Sequence, residues 1–304
     1  MVRPALLLAL FLTACAPKAV YSEGGLRLCP SAAGGNCFLV SAAEAGLGGQ
    51  GAQVDQFAVR PSEGARGRLL IFLNGSGGSP AAGASGGLES WYGVARAQGL
   101  HVLGVSYRSE LAVGAMCRGD DACFEPTRLS QVTGRAQPGA ASQVSSILEV
   151  EGIEARLKAT LEYLATRDSE GGWSDFLTAD GVRWEATFVS GHSQGGGHAA
   201  LLAKRHAVER VLMLASPCDA LTDGSPATWL TRTAEWRTDA SRFFGLWSPG
   251  DETCPAAPAI WERMGLVPSS RDTSGPSCAG QGAHSAPLTC TSENAERWKR
   301  LLQP

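Results

Sequence analysis

Ser193 stands in the run Val189-Ser190-Gly191-His192-Ser193-Gln194-Gly195-Gly196-Gly197, which an apolar stretch enters and an alanine-rich stretch leaves. A serine hydroxyl is a weak nucleophile until a base takes its proton. The pattern G-x-S-x-G answers the geometric half of that problem. It holds serine on a sharp strand-to-helix turn, hydroxyl outward, beside helix N–H groups that stabilise developing negative charge. Gly191 and Gly195 leave room for the turn, because side chains there would strike the neighbouring strand and helix. The bare pattern is weak in a chain of 38 glycines, and Gly83-Ala84-Ser85-Gly86-Gly87 also fits it. No strand runs into that second copy, so Ser193 is the expected nucleophile. A tight turn without chemistry is the alternative.

The segment Gly191-His192-Ser193-Gln194-Gly195-Gly196 resembles the nucleophile elbow of α/β-hydrolases, the superfamily of lipases, esterases and thioesterases. The stretch as far as Ala200 is similar to a group of secreted bacterial members. The likeness is specific around the elbow and extends more loosely over the element order from about residue 68 onward. It implies a triad in the chain order Ser, Asp or Glu, His.

Of the five histidines, His284 alone lies well after Ser193 with room for an acid between, and it is the expected general base. His192 lies within the elbow, where the turn is expected to point it away. His198 and His206 fall on the next helix as packing or surface residues, and His101 begins a strand. The acid must orient the imidazole and stabilise its positive charge. Asp251, after the turn Ser248-Pro249-Gly250, is preferred, and Asp219 is its rival. The oxyanion hole needs two backbone donors. One is expected at Gln194, and the other at Gly75 or Ser76 in Asn74-Gly75-Ser76-Gly77-Gly78, which resembles the H-G-G-G loop of esterases with Asn74 replacing histidine.

These residues need a frame. Apolar runs at 68–73, 101–106, 186–190 and 210–215, with a weaker one at 243–247, are nearly continuous, as in strands covered on both faces. Helical patterns at 90–98, 153–164, 196–206 and 293–302 lie between or after them. The expectation is an α/β fold with a mostly parallel, doubly wound sheet flanked by helices, ligands collecting beyond the carboxyl ends of the strands. Residues 268–281 read poorly as a strand, so the last strand before His284 is expected to be missing or cryptic. Residues 219–242 are too short for a large cap, though Trp229 and Trp236 are candidates to line an acyl pocket. Residues 109–150 are a longer insertion that borders the site in this reading.

The 304 residues are 44% hydrophobic and carry a formal charge of −3, which points to one full-sized core and away from a nucleic-acid surface. Arg3 precedes a short apolar run at 5–12, below the roughly 20 residues of a membrane span. Leu12-Thr13-Ala14-Cys15 resembles the bacterial lipoprotein box, which implies removal of residues 1–14, lipidation at Cys15, a tether over 15–27 and a single domain over 28–304. The expected location is the cell envelope, facing the periplasm or exterior. Setting Cys15 aside from nine cysteines leaves eight, enough for four disulfides in an oxidising compartment. Eight cysteines allow about 105 pairings. Short loops favour Cys29–Cys37 and Cys117–Cys123, and Cys218–Cys254 and Cys278–Cys290 would brace the acid loops and the His284 loop. No C-x-x-C or Cys/His ligand spacing suggests a metal, and no cofactor is expected. The expected activity is hydrolysis of a small or polymeric carboxylic ester by Ser193, His284 and Asp251. A peptidase or amidase on the same triad, or a non-catalytic anchored binding protein, are the alternatives.

Overall fold

The computed structural model describes residues 19–29, 36–49, 54–61, 63–80, 88–275, 278 and 280–303. The leader, Cys15 and the second G-x-S-x-G at 83–87 lie outside the described residues. The strands are β1 (Arg27–Leu28), β2 (Cys37–Val40), β3 (Gln56–Val59), β4 (Leu69–Leu73), β5 (His101–Val105), β6 (Leu177–Thr178), β7 (Gly181–Val182), β8 (Thr187–His192), β9 (Arg210–Leu214), β10 (Phe243–Trp247) and β11 (Arg271–Thr273). All but the small β6–β7 hairpin join one nine-stranded sheet of order β1-β2-β3-β5-β4-β8-β9-β10-β11. From β5 to β11 every neighbouring pair is parallel, and β1, β2 and β3 add an antiparallel edge.

The helices are α1 (Leu88–Ala97), α2 (Val113–Cys117), α3 (Asp121–Thr133), α4 (Ile153–Arg167), α5 (Gln194–Arg205), α6 (Thr228–Thr231), α7 (Ala257–Arg263), α8 (Ala286–Thr289) and α9 (Thr291–Leu301). Because strand side chains alternate between faces, the sheet divides its apolar residues between two cores. Leu69, Ile71, Leu73, Val189, Val211 and Met213 pack toward α4, α5 and α7. Leu70, Phe72, Phe188, Leu212 and Leu246 pack toward α1 and α9. Both faces are therefore covered, which is why these strands read as unbroken apolar runs. The architecture is the expected α/β fold, a doubly wound, mostly parallel sheet flanked by helices.

Three differences from the sequence reading are local. The final strand exists as β11, only three residues long and paired in parallel with β10. Its Arg-Asp-Thr sequence carries no apolar signal because it lies at the sheet edge. The stretch read as tether is ordered before residue 28: the Leu28 amide donates to the Val20 carbonyl at 2.8 Å, and Leu26 is 1% exposed within the core. Leu26 and an antiparallel bridge between Tyr21 and Arg27 seat this segment, and its polar-rich composition hid it. The insertion at 109–150 contains α3, whose apolar stripe is too narrow to stand out.

All four expected bridges are present: Cys29–Cys37, Cys117–Cys123, Cys218–Cys254 and Cys278–Cys290. No helix among the described residues is long and apolar enough to cross a membrane.

Candidate active site

Parallel register sets the site's position. Leu73 pairs with Gly191, and His192 pairs with Leu214, so β4, β8 and β9 end at one level. The chain leaving β4 therefore lies beside the turn from β8 into α5.

Ser193 occupies that turn at φ 54° and ψ −123°, a conformation rare for a residue with a side chain and costing on the order of 1–3 kcal/mol. Its amide donates to the Leu214 carbonyl at 2.9 Å, which holds the strained turn against β9. A β-carbon on Gly191 would lie 2.2 Å from the Gly195 carbonyl carbon, and one on Gly195 would lie 2.0 Å from the Leu73 oxygen. Only glycine lets strand and helix come this close. Ser193 is half-buried and stands at the N-terminus of α5, where unpaired N–H groups carry partial positive charge.

The loop after β4 presses against the serine. A β-carbon on Gly75 would lie 3.2 Å from the Ser193 β-carbon and 3.1 Å from His192 Nδ1. Asn74, in the place of the esterase histidine, has a bracing role: its Nδ2 donates to the Gly75 and Gly78 carbonyls at 2.8 and 2.9 Å. Gly77 donates to the Ser109 carbonyl at 2.7 Å, and the Tyr107 hydroxyl donates to the Asn74 carbonyl at 2.6 Å. The Gln194 side chain joins the pieces, its Oε1 accepting from Ser76 Oγ at 2.9 Å and from the Val113 amide at 3.1 Å. Gly75, Ser76 and Gln194 are thus brought together beside Ser193.

His284 Nδ1 lies 3.0 and 2.9 Å from the two carboxylate oxygens of Asp251. Asp251 is 2% exposed. Its Oδ1 also accepts from the Thr253 and Cys254 amides at 2.9 and 3.0 Å. Burial alone raises this carboxyl, but the His284 hydrogen bond and those amides together outweigh it and hold it below the ordinary carboxylate range. The carboxylate is kept ionised beside the His284 ring. The Cys254 sulfur lies near the same groups but is consumed by its disulfide, so the cluster offers a metal no third ligand.

Asp219 is placed differently. Both its oxygens accept from Arg128, at 2.6 and 2.5 Å, and Oδ2 also accepts from Trp229 Nε1 at 3.0 Å. The third arm of Arg128 donates to the Gln194 carbonyl at 3.0 Å, and a β-carbon on Gly197 would collide with its guanidinium at 2.3 Å. Asp219 is therefore spent on fixing the first turn of α5. Nothing in the sequence pointed to Arg128, because one arginine in a weakly amphipathic helix carries no spacing signal. Trp229 is buried beneath this ion pair, and Trp236, stacked on Trp229, lines a hollow of about 280 Å³ with Phe243 and Met264, at the end of β10 away from Asp251.

His192 departs from expectation as well. Instead of pointing away, its ring lies 4.8 Å from the His284 ring, and its Nε2 is 2.8 Å from the His284 carbonyl oxygen. His198 is buried against Tyr107, and His206 pairs with Glu154 at 2.8 Å, as packing and surface residues. Beside the 107–113 segment lies a hollow of about 210 Å³ lined by Arg108, Leu111, Met116 and Val144. A larger one of about 560 Å³ lies at the opposite end of α5, lined by Arg205, His206 and Trp184.

No protein-family model matches the chain, and no curated protein matches it. Solved structures share its course distantly. An alpha-beta serine hydrolase homologue from Coxiella burnetii is 16% identical with a TM-score of 0.46, over 88% of this chain and 97% of that one. An S-formylglutathione hydrolase from Agrobacterium tumefaciens is 12% identical with a TM-score of 0.47, over 88% and 95%. The esterase domain of a Rhodothermus marinus protein is 12% identical with a TM-score of 0.41, over 82% and 90%. These likenesses concern the path of the chain alone.

Proposed function

We propose that this protein is a serine hydrolase that cleaves carboxylic esters through an acyl-enzyme. The observation that carries the reading is a strained Ser193 at the strand-to-helix turn, next in sequence to a residue that touches His284, whose ring is hydrogen-bonded by a buried, ionised Asp251. Ser193 attacks the ester carbonyl as His284 takes its proton, and Asp251 holds the resulting imidazolium. The amides of Gln194 and of Gly75 or Ser76 receive the oxyanion. The alcohol leaves with the proton from His284, and water hydrolyses the acyl-enzyme by the same base. The substrate is a small or polymeric ester, and no step requires a cofactor.

The test is labelling with a fluorophosphonate probe. Wild type is labelled and Ser193→Ala is not; labelling that persists in the variant, or is absent from wild type, rejects the nucleophile. Turnover of p-nitrophenyl esters against the matching anilides then separates esterase from amidase.

The same proposal places the protein in the cell envelope, anchored by lipid on Cys15. The leader, the Cys15 box and four disulfides support an oxidising compartment. Incorporation of labelled palmitate by wild type but not by Cys15→Ser is the expected result.

A further inference from the structure

The proposed mechanism leaves His192 without a task, although it sits between its three moving parts. On one side its Nε2 meets the His284 carbonyl at 2.8 Å. A carbonyl oxygen only accepts, so Nε2 carries the hydrogen and Nδ1 of the neutral ring is bare. On the other side, that bare nitrogen faces Gly75, where a β-carbon would stand 3.1 Å away. Through its own backbone, His192 is bonded to Ser193. One imidazole therefore abuts the base loop, the oxyanion loop and the nucleophile.

We propose that His192 is a positioning residue that clamps the main chain of His284 to the nucleophile turn; the inference rests on the reading of Ser193 and His284 as nucleophile and base. The loop that carries His284 is closed by Cys278–Cys290, and its ring is aimed by Asp251. Those two restraints fix the ends of the loop and the tip of the side chain. The turn around residue 284 is bonded within itself, the Ser285 and Ala286 amides donating to the Gly282 carbonyl at 3.0 and 3.1 Å, and the Nε2–H of His192 ties that turn to the one that carries Ser193. A ring that also gained a proton would set a second cation against imidazolium. Burial first, and the neighbouring His284 second, push the His192 imidazole down to about 4, so it keeps its single donor and stays neutral while His284 charges.

Two variants separate the parts of this role. His192→Phe keeps a ring without a donor, and His192→Gln keeps an N–H at the same reach without the ring. For ester turnover, His192→Phe is expected to lose about ten- to hundred-fold in kcat, the cost of a misplaced base, with KM within about two-fold. His192→Gln recovers most of the loss, and the two variants melt within a few degrees of each other. In ¹⁵N NMR of the wild-type protein between pH 6 and 8, with His284 and Asp251 as the titratable neighbours, His192 is the Nε2–H tautomer throughout. Wild-type kcat in His192→Phe, a loss that Gln does not restore, or an Nδ1–H tautomer each overturn the proposal while the hydrolase reading stands. A wild type that turns over no ester overturns both.

Discussion

Asp219 takes Nε and Nη2 of Arg128 on its two carboxylate oxygens, and both side chains are 1% exposed. The pair therefore belongs to the scaffold beneath α5, and of the two aspartates it leaves Asp251 as the one that meets His284. The two aspartates were rivals by sequence order, and their partners assign them opposite tasks.

Replacing them should give opposite phenotypes. Asp251→Asn is expected to lower kcat by about 10⁴, the scale of losing the orienting acid of a triad, while the melting temperature changes little. Asp219→Ala strands a buried guanidinium and should cost about 3–5 kcal/mol of stability. Paired kinetics and denaturant melts decide it, and a stable Asp219→Ala protein with 10⁴-fold lower kcat would reverse the assignment.

Stability should drain early on acidification. The folded His192 value, about 4, lies below the ordinary 6.5, so the unfolded chain binds that proton more readily between those two pH values. Its contribution is complete above pH 6.5 and shrinks as pH falls toward 4, on the order of 2 kcal/mol once its partial exposure is allowed for. His198, pushed well below 6.5 by burial and then by Arg128, acts in the same direction. Asp251 is held below 3.8, so its contribution is present above 3.8 and is lost only as pH falls further, through its folded value. Thermal melts from pH 7 to 4 should slope downward, and the slope should ease in His192→Gln.

Two glycines predict opposite signs. Gly195→Ala drives a β-carbon to within 2.0 Å of the Leu73 carbonyl and should cost more than about 4 kcal/mol or prevent folding. Gly93 lies exposed within α1 with nothing inside 4 Å of its would-be β-carbon, so Gly93→Ala should stabilise by about 0.5–1 kcal/mol. Denaturation midpoints of the two variants read this directly.

Opening the bridges should separate folding from turnover. The Cys278–Cys290 closure is worth roughly 3 kcal/mol on chain-entropy grounds and Cys218–Cys254 about 4. Cys278→Ser with Cys290→Ser frees the His284 loop, and kcat should fall beyond what the stability loss explains at 25 °C. The Cys29–Cys37 bridge ties only the β1–β2 edge, so Cys29→Ser with Cys37→Ser should leave kcat unchanged.

The parts of the fold legible from sequence were those with local signals. The buried parallel strands announced themselves as apolar runs, and the elbow as glycines around a serine between strand and helix. β2 and β3 went unread, because Cys-Phe-Leu-Val and Gln-Phe-Ala-Val are four residues each, too short for a strand pattern to stand out. The order of the candidates was legible and favoured Asp251, but what occupies Asp219 was not. It turns on Arg128, ninety-one residues away from its partner in the chain. His192 was misread for a similar reason: a turn residue's direction depends on which loop comes to meet it.

The crowding behind the elbow also limits where selectivity can evolve. With Leu73, Ser216 and Arg128 pressed against the glycines of α5, that wall accepts no new side chains. The opposite bank holds residues such as Leu111, 51% exposed, on a segment bonded to Gln194 through Val113 and to the 74–78 loop through Ser109. Divergent descendants of this sequence should carry their differences in substrate taste there, and a mutant library seeking new ones should begin with Leu111 and Met116.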